Sequence, residues 1–209
     1  MTMLKSRLEI DKMFGWDDVK NPSTPRFTYE DFLCFPEDGL RHELIDGEHY
    51  VTPSPNTHHQ RLVGRLHADL YAHLSATQAG EVFLAPFDVV LSNHDVVEPD
   101  LLVILADQAG ILTDQNVRGA PAIVVEVLSP GTRHRDETLK RQLYDRVGVR
   151  EYWLVDADAE TILVCRRADA GDLSRVVEFQ RNADDRLRSA WLPGFELSLR
   201  RLFGAAPRT

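Results

Sequence analysis

Two stretches in the middle of the chain place a single carboxylate at the head of an apolar run or inside one. In the first, Asp100 precedes the run 101–104, and in the second, Glu126 lies within the run 122–128. Short apolar runs bounded by turn residues are typical of strands that are buried on both faces. The pattern therefore predicts a strand over 96–105 that carries Asp100, and a central buried strand over 122–128 that carries Glu126.

A charged helix follows the second of these strands. The spacing predicts a helix over 135–147 that ends at Gly148, a residue suited to the left-handed cap position. On a helical wheel Asp136 and Lys140 fall on or beside the apolar stripe, so both are predicted to face inward. The alternative is that Lys140 extends along the surface to water, with Asp136 as its partner one turn away.

The N-terminal quarter of the chain predicts an arm, a short helix and a hairpin. Residues 1–25 show little apolar periodicity and are predicted to form a weakly ordered arm before a single domain over 26–209. Thr28 is predicted to cap a short helix that Pro36 ends. Asp46-Gly47 lies between two short strand-like segments and predicts a β-hairpin, because both turn positions tolerate positive φ.

A long helix and two strands come next. From about Thr57, leucine and valine recur at helical spacing until the break at 78–80. His59 falls inside the apolar stripe and is predicted to point inward. Residues 81–91 predict a strand, with Pro86 at a bulge or edge position, that pairs antiparallel with the strand over 96–105.

The rest of the chain completes a mixed α/β (α+β) plan. Its remaining elements are predicted from apolar runs bounded by turn residues. They are a short helical piece over 107–111, strands over 151–155, 161–166 and 175–179, and a closing element over 195–203. Helices and strands that are mixed along the chain in this way indicate one sheet-containing domain.

Composition narrows the class of protein. The 209 residues are 43% hydrophobic, enough for one domain with a sizeable core. No apolar run approaches the roughly 20 residues of a membrane span, and no apolar segment of a secretory signal follows the first residues, so a cytoplasmic location is predicted. Cys34 and Cys165 lie far apart, which argues against a zinc site or a disulfide framework. Both are predicted to be core residues.

The charge is negative overall but unevenly distributed. The formal net charge of −9 disfavours a large nonspecific nucleic-acid surface. Residues 131–150, directly after the strand with Glu126, carry six basic and three acidic side chains. This basic segment is predicted to face phosphate through Arg133, Arg135 and Arg141.

The two strand carboxylates and the inward lysine suit a hard divalent cation. A lone carboxylate in an apolar strand has a desolvation cost of several kcal/mol unless a cation, a hydrogen bond or a metal compensates. Mg²⁺ prefers one or two carboxylates together with water and substrate phosphate, and Mn²⁺ is a possible substitute. The alternatives are that Glu126 lies at an exposed strand end and accepts backbone N–H groups, and that Asp100 belongs to a Pro-Asp turn.

Five ordered motifs resemble the Uma family of putative restriction endonucleases, within the PD-(D/E)XK nuclease superfamily. They are residues 41–47 (RHELIDG), 98–101 (EPDL), 121–130 (PAIVVEVLSP), Arg135-Asp136 with Lys140 and Tyr144, and 148–156 (GVREYWLVD). The resemblance implies a restriction endonuclease-like domain, a mixed sheet flanked by helices, and Mg²⁺-dependent cleavage of DNA by a homodimer. It implies Asp100 and Glu126 as the two metal-binding acids.

One departure from the superfamily pattern concerns its lysine, which belongs two residues after the second acid. Leu128 occupies that position here. The inward-facing Lys140 is predicted to supply the ammonium from the helix instead. Accessory roles are predicted for a further set of residues, comprising Glu43, His59, Gln60, Asp136 and Tyr144. Glu43 could equally be a surface residue of the hairpin, and His59 a core histidine with one backbone partner.

Three functions fit these observations. The first is a Mg²⁺-dependent DNA endonuclease in which Asp100 and Glu126 hold the metal and Lys140 assists the attacking water. The second is a non-catalytic module that keeps the nuclease fold and binds nucleic acid or protein, which the net charge and Leu128 favour. The third is a metal-dependent hydrolase of a smaller phosphoester, which an acidic surface suits better than long DNA.

Overall fold

The computed structural model describes residues 4–5, 26–168 and 171–204. Most of the arm predicted over 1–25 lies outside the described residues. Its described part, Leu4–Lys5, is a two-residue strand that pairs antiparallel with the strand Arg175–Gln180.

The described part of the chain contains fourteen strands, four helices and one 3₁₀ helix, Ala106–Ile111. The strands in chain order are β1 (Leu4–Lys5), β2 (Arg41–Ile45), β3 (Glu48–Thr52), β4 (Gly80–Leu84), β5 (Val89–Ser92), β6 (Asp95–Val97), β7 (Leu101–Leu105), β8 (Val117–Arg118), β9 (Ile123–Val127), β10 (Glu151–Asp156), β11 (Thr161–Arg166), β12 (Arg175–Gln180), β13 (Arg186–Leu187) and β14 (Leu197–Ser198). The helices are α1 (Tyr29–Phe32), α2 (Thr57–Thr77), α3 (133–147) and α4 (Leu199–Phe203).

A seven-stranded mixed sheet forms the centre of the fold, in the order β1-β12-β11-β10-β9-β7-β4. β9 and β10 are parallel, and the other neighbours are antiparallel. All five residues of β9 and all five of β7 are buried. This confirms the central buried strand that the apolar run around Glu126 predicts, and the strand after Asp100 is buried as well.

A second sheet of five strands, β3-β2-β6-β5-β8, carries the predicted hairpin. The turn between β2 and β3 has φ of 59° at Asp46 and 75° at Gly47. Both values lie in the left-handed region, as a turn of this kind requires. The Asp-Gly prediction is confirmed. The hairpin brings the second sheet next to the ends of β7 and β9 at which Asp100 and Glu126 lie.

Two predicted strands are wrong in their extent. The segments predicted as single strands over 81–91 and 96–105 are each divided between the two sheets, as β4 with β5 and β6 with β7. The breaks fall around Pro86 and Pro99, which have no N–H to donate to a ladder. The antiparallel pairing is confirmed, because β4 pairs with β7 and β5 with β6.

Helices pack on opposite faces of the seven-stranded sheet. The buried side of α2, which begins after Asn56, contacts one face through its leucines, and the inner side of α3 contacts the other face through Leu143 and Tyr144. Gly148 ends α3 with φ of 93°, as predicted. Thr28 caps α1 in a reciprocal capping box with Asp31, which confirms that prediction as well.

The two cysteines differ in their environment. Cys165 on β11 is buried, as predicted, whereas Cys34 is exposed and its predicted core position is wrong. Cys34 follows the one-turn helix α1, of which no residue is buried, so there is no core there for it to join. Among the described helices, none combines the length and the apolar character that a membrane span requires.

Candidate active site

Asp100 and Glu126 lie opposite each other at the end of the β7–β9 ladder. In that ladder Leu101 pairs with Val125, so one further step of the antiparallel register places Asp100 opposite Glu126. Directly opposite residues in such a pair have Cβ atoms roughly 4.5–5.5 Å apart. The backbone N–H of Val127 donates to Oδ2 of Asp100 at 2.9 Å, which ties the two strand ends together.

Both carboxylate oxygens of Asp100 have partners. Arg41 donates from Nη1 to Oδ1 at 2.8 Å, and Nε2 of His59 lies 2.9 Å from Oδ2. Burial raises the pKa of Asp100, but the hydrogen bond and charge of His59 and the charge of Arg41 outweigh it and lower the pKa to about 2. Asp100 is therefore a carboxylate at any physiological pH.

Glu126 is buried and takes its hydrogen bonds on one oxygen. Lys140 Nζ donates to Oε1 at 2.8 Å, and the hydroxyl of Tyr144 donates to the same oxygen at 3.2 Å. Burial raises the pKa of Glu126 to about 8, with Lys140 acting against the rise and the nearby Asp136 carboxylate adding to it. The charged form of Glu126 therefore depends on a cation close to it.

Lys140 faces inward, where the helical wheel predicts it. Its side chain is only 3% exposed, and Nζ lies 2.8 Å from Oε1 of Glu43, 2.8 Å from Oε1 of Glu126 and 3.8 Å from Oδ1 of Asp136. Burial lowers the pKa of Lys140, but these carboxylates outweigh burial and hold the pKa above its ordinary value. Residues 136–140 form a π-helical turn within α3, a feature often found at functional sites.

Glu43 is buried within the site, on β2. Its Oε1 accepts the backbone N–H of Glu98 at 3.0 Å, and its Oε2 lies 3.5 Å from Nη2 of Arg135. Two buried carboxylate oxygens, Oε2 of Glu43 and Oδ1 of Asp136, have no hydrogen-bond donor among the described residues. Burial raises the pKa of Asp136 to about 6. The surface alternative for Glu43 is therefore wrong.

A cleft of about 220 Å³ brings these groups together. A neighbouring recess of about 340 Å³ shares Arg41, His59 and Asp100 with the cleft. The sequence-predicted residues that line the cleft are Glu43, His59, Asp100, Glu126, Arg135, Asp136 and Lys140. Leu128, in the superfamily's lysine position, lines it too.

Other sequence-predicted residues lie outside the cleft. Tyr144 lies behind Glu126, and Gln60 lines only the neighbouring recess. Arg133 pairs with Asp156 at 2.7 Å. Arg141 donates to the backbone oxygen of Leu173 at 3.2 Å. Of the three arginines predicted to face phosphate, the structure thus places only Arg135 in the cleft.

Arg41 is absent from the sequence-predicted residues, although the sequence contains a signal for it. In a strand, alternate side chains share a face, so Arg41 lies on the same face of β2 as Glu43. Once Glu43 is a candidate, the side chain two positions earlier becomes one. The contact of Arg41 with Asp100, 59 positions away, depends on the packing of the two sheets and leaves no trace in the local pattern.

The donor set fits a hard divalent cation when water completes it. Across the described ranges, no group of three or more His, Cys, Asp or Glu side chains forms a ready metal site. Mg²⁺ needs only one or two carboxylates because it keeps several waters. Asp100 and Glu126 provide two carboxylates on facing strand ends, and the hydrogen bonds from Lys140 and Tyr144 to Glu126 both leave its Oε2 unused. These two acids would hold the ion.

Comparisons with known proteins agree on a nuclease-like fold. A family model described as Uma2, putative restriction endonuclease, matches residues 29–200. A crystal structure described as a putative nuclease belonging to DUF820 from Anabaena variabilis has a TM-score of 0.70 and 20% sequence identity, and the match covers 85% of this chain and 97% of that one. At this identity the structural likeness shows the fold alone. No curated protein matches the chain in sequence.

Proposed function

We propose that this chain, which belongs to the Uma2 family of putative restriction endonucleases, is a Mg²⁺-dependent endonuclease that hydrolyses phosphodiester bonds in DNA. The observation that carries the proposal is the position of Lys140, buried in the cleft with its ammonium on Glu126, while Glu126 faces Asp100 across the β7–β9 ladder. Lys140 on α3 would then take the role of the lysine that the superfamily carries at the position of Leu128.

The chemistry divides between a metal ion and the side chains of the cleft. A Mg²⁺ ion bound by Asp100 and Glu126 would lower the pKa of water and neutralise charge on the phosphate, and Mn²⁺ would substitute for it. Lys140 remains protonated because carboxylates surround it, so it orients the attacking water and donates hydrogen bonds but does not act as a base. Arg135, which also lines the cleft, offers a guanidinium to a phosphate oxygen.

Cleavage of both strands of a duplex in one binding event needs two such sites, which a homodimer would supply. Size-exclusion chromatography with light scattering of the full chain, with and without duplex DNA, tests this part of the proposal. A monomer in both conditions would contradict the homodimer and leave cleavage of the two strands in separate events.

The test of the function is cleavage of supercoiled plasmid with Mg²⁺ or Mn²⁺. Wild type should nick or linearise the plasmid, and EDTA should stop the reaction. Asp100→Asn and Glu126→Gln should each lower the rate at least about 100-fold, since removal of an essential metal ligand or charged group commonly costs that much. Equal background nicking by wild type and both variants would overturn the proposal.

A non-catalytic nucleic-acid-binding module is the second candidate, and one observation favours it. Arg41, His59 and the N–H of Val127 occupy both oxygens of Asp100. Calorimetry with Mn²⁺ distinguishes the two functions. Heat of binding that disappears in Glu126→Gln favours the enzyme, and DNA binding without any Mn²⁺ heat favours the module.

A further inference from the structure

Arg41 is positioned where a cation at Asp100 would be. Its Nη1 lies 2.8 Å from Oδ1 of Asp100 and 3.4 Å from the backbone oxygen of Glu98. The other carboxylate oxygen of Asp100 already accepts from His59 and Val127. A metal ion that binds Asp100 through Oδ1 must therefore share that oxygen with the guanidinium or displace it.

The side chain of Arg41 has donors to spare and room to move. Both of its hydrogen bonds use Nη1, and no described residue accepts from its Nε or Nη2. It is 18% exposed and lines both the cleft and the neighbouring recess of about 340 Å³. A guanidinium with a free edge beside a cleft suits a phosphate, which it binds through two parallel hydrogen bonds.

We propose that Arg41 competes with the metal ion for Asp100 in the protein without DNA, and that a DNA phosphate takes the guanidinium away from Asp100 as the metal enters. Arg41 is then a positioning residue that couples the binding of metal and of DNA. The inference rests on the proposed function, because it requires a metal at Asp100. It predicts that the metal ion binds weakly in the absence of DNA and more tightly in its presence. The metal ion should then raise the affinity for DNA by the same factor.

The first test is calorimetric titration of the full chain with Mn²⁺ in the absence of DNA. Arg41→Met removes the competing charge and should bind Mn²⁺ about tenfold or more tightly than wild type, since a hydrogen bond to a charged group is worth about that factor. The matched control is Arg166→Met. Arg166 is also 18% exposed and pairs with a buried acid, Glu151, at 3.0 Å outside the cleft. This control should leave the Mn²⁺ affinity within about twofold of wild type.

The outcomes separate the inference from the function it rests on. Equal or weaker Mn²⁺ binding by folded Arg41→Met, with clear binding by wild type, overturns the inference and leaves the proposed function standing. No Mn²⁺ heat in either protein contradicts both. Circular dichroism establishes that each variant is folded.

The second test keeps a positive charge at position 41, in case Arg41→Met does not fold. A lysine at position 41 lacks the planar fork of the guanidinium and cannot bind a phosphate through two parallel hydrogen bonds, so a phosphate draws it away from Asp100 less strongly. The measurement is fluorescence anisotropy of a labelled duplex oligonucleotide in EDTA and in Ca²⁺, a hard cation of the same charge. Ca²⁺ should raise the DNA affinity of wild type several-fold more than that of Arg41→Lys. The same Ca²⁺ effect in both proteins would overturn the inference.

Discussion

The ammonium nitrogen of Lys140 lies 2.8 Å from Oε1 of Glu126, so a helix lysine neutralises a strand carboxylate that is buried in the core of the sheet. Glu43 lies at the same distance from the same nitrogen. Each of these three charges alone would have a large desolvation cost in this position. The burial of each side chain therefore depends on the other two. The stability of the site and its chemistry therefore depend on the same lysine.

Substitution of Lys140 by methionine should both destabilise the protein and abolish cleavage. The change leaves Glu43 and Glu126 buried without their shared cation, and removal of one partner from a buried pair costs about 3–5 kcal/mol of unfolding free energy. Urea denaturation followed by tryptophan fluorescence measures the loss. A loss under about 1 kcal/mol would show that Lys140 is not the charge partner of these acids.

A double variant separates the two effects. Adding Glu126→Gln to Lys140→Met removes one of the two buried carboxylates that have lost their lysine partner. The double variant should recover part of the lost stability, while plasmid cleavage stays absent. Recovery of cleavage in the double variant would contradict the assigned roles of both residues.

Two glycine substitutions should change stability in opposite directions. Gly80 has φ of 153°, and a Cβ there would collide with the carbonyl oxygen of Ile104, so Gly80→Ala should destabilise the β4–β7 pair. Gly64 lies in α2 with open space where a Cβ would lie, so Gly64→Ala should stabilise the protein by about 0.5–1 kcal/mol. Thermal unfolding of the two variants measures both effects. A destabilising Gly64→Ala would contradict the exposed helical position.

The two cysteines should differ in their reaction with thiol reagents. Cys34 is exposed, whereas burial raises the pKa of the Cys165 thiol to about 11. Because the thiolate is the reactive species, Cys165 stays protonated and unreactive between pH 7 and about pH 9 in the folded protein. Titration with a chromogenic disulfide should count one thiol in buffer and two in denaturant. Two fast-reacting thiols in buffer would contradict the packing around β11.

Local sequence signals predict most of the fold and a large part of the candidate site. The Asp-Gly turn, the cap at Thr28 and the end of α3 at Gly148 depend on neighbouring residues only, and the structure has all three. The inward direction of Lys140 follows from helical periodicity in the same way. Such features are visible in sequence because their cause lies within a few positions.

The errors and omissions concern contacts between distant segments. Periodicity shows which face a side chain takes but not to which sheet a strand belongs, so it does not reveal the division between β4 and β5. The pairing of Arg41 with Asp100 depends on how the second sheet packs against the first. The site as a whole is therefore a tertiary feature, whereas its separate members are local ones.

The most direct measurement of a metal held by Asp100 and Glu126 is the anomalous scattering of Mn²⁺ in a crystal of the full chain. We predict a manganese peak within ligand distance of both carboxylates, with Lys140 still on Glu126 and the Arg41 guanidinium moved from Oδ1 of Asp100. At a Mn²⁺ concentration that supports plasmid cleavage, a peak elsewhere, or none between these two carboxylates, would contradict the proposed metal site.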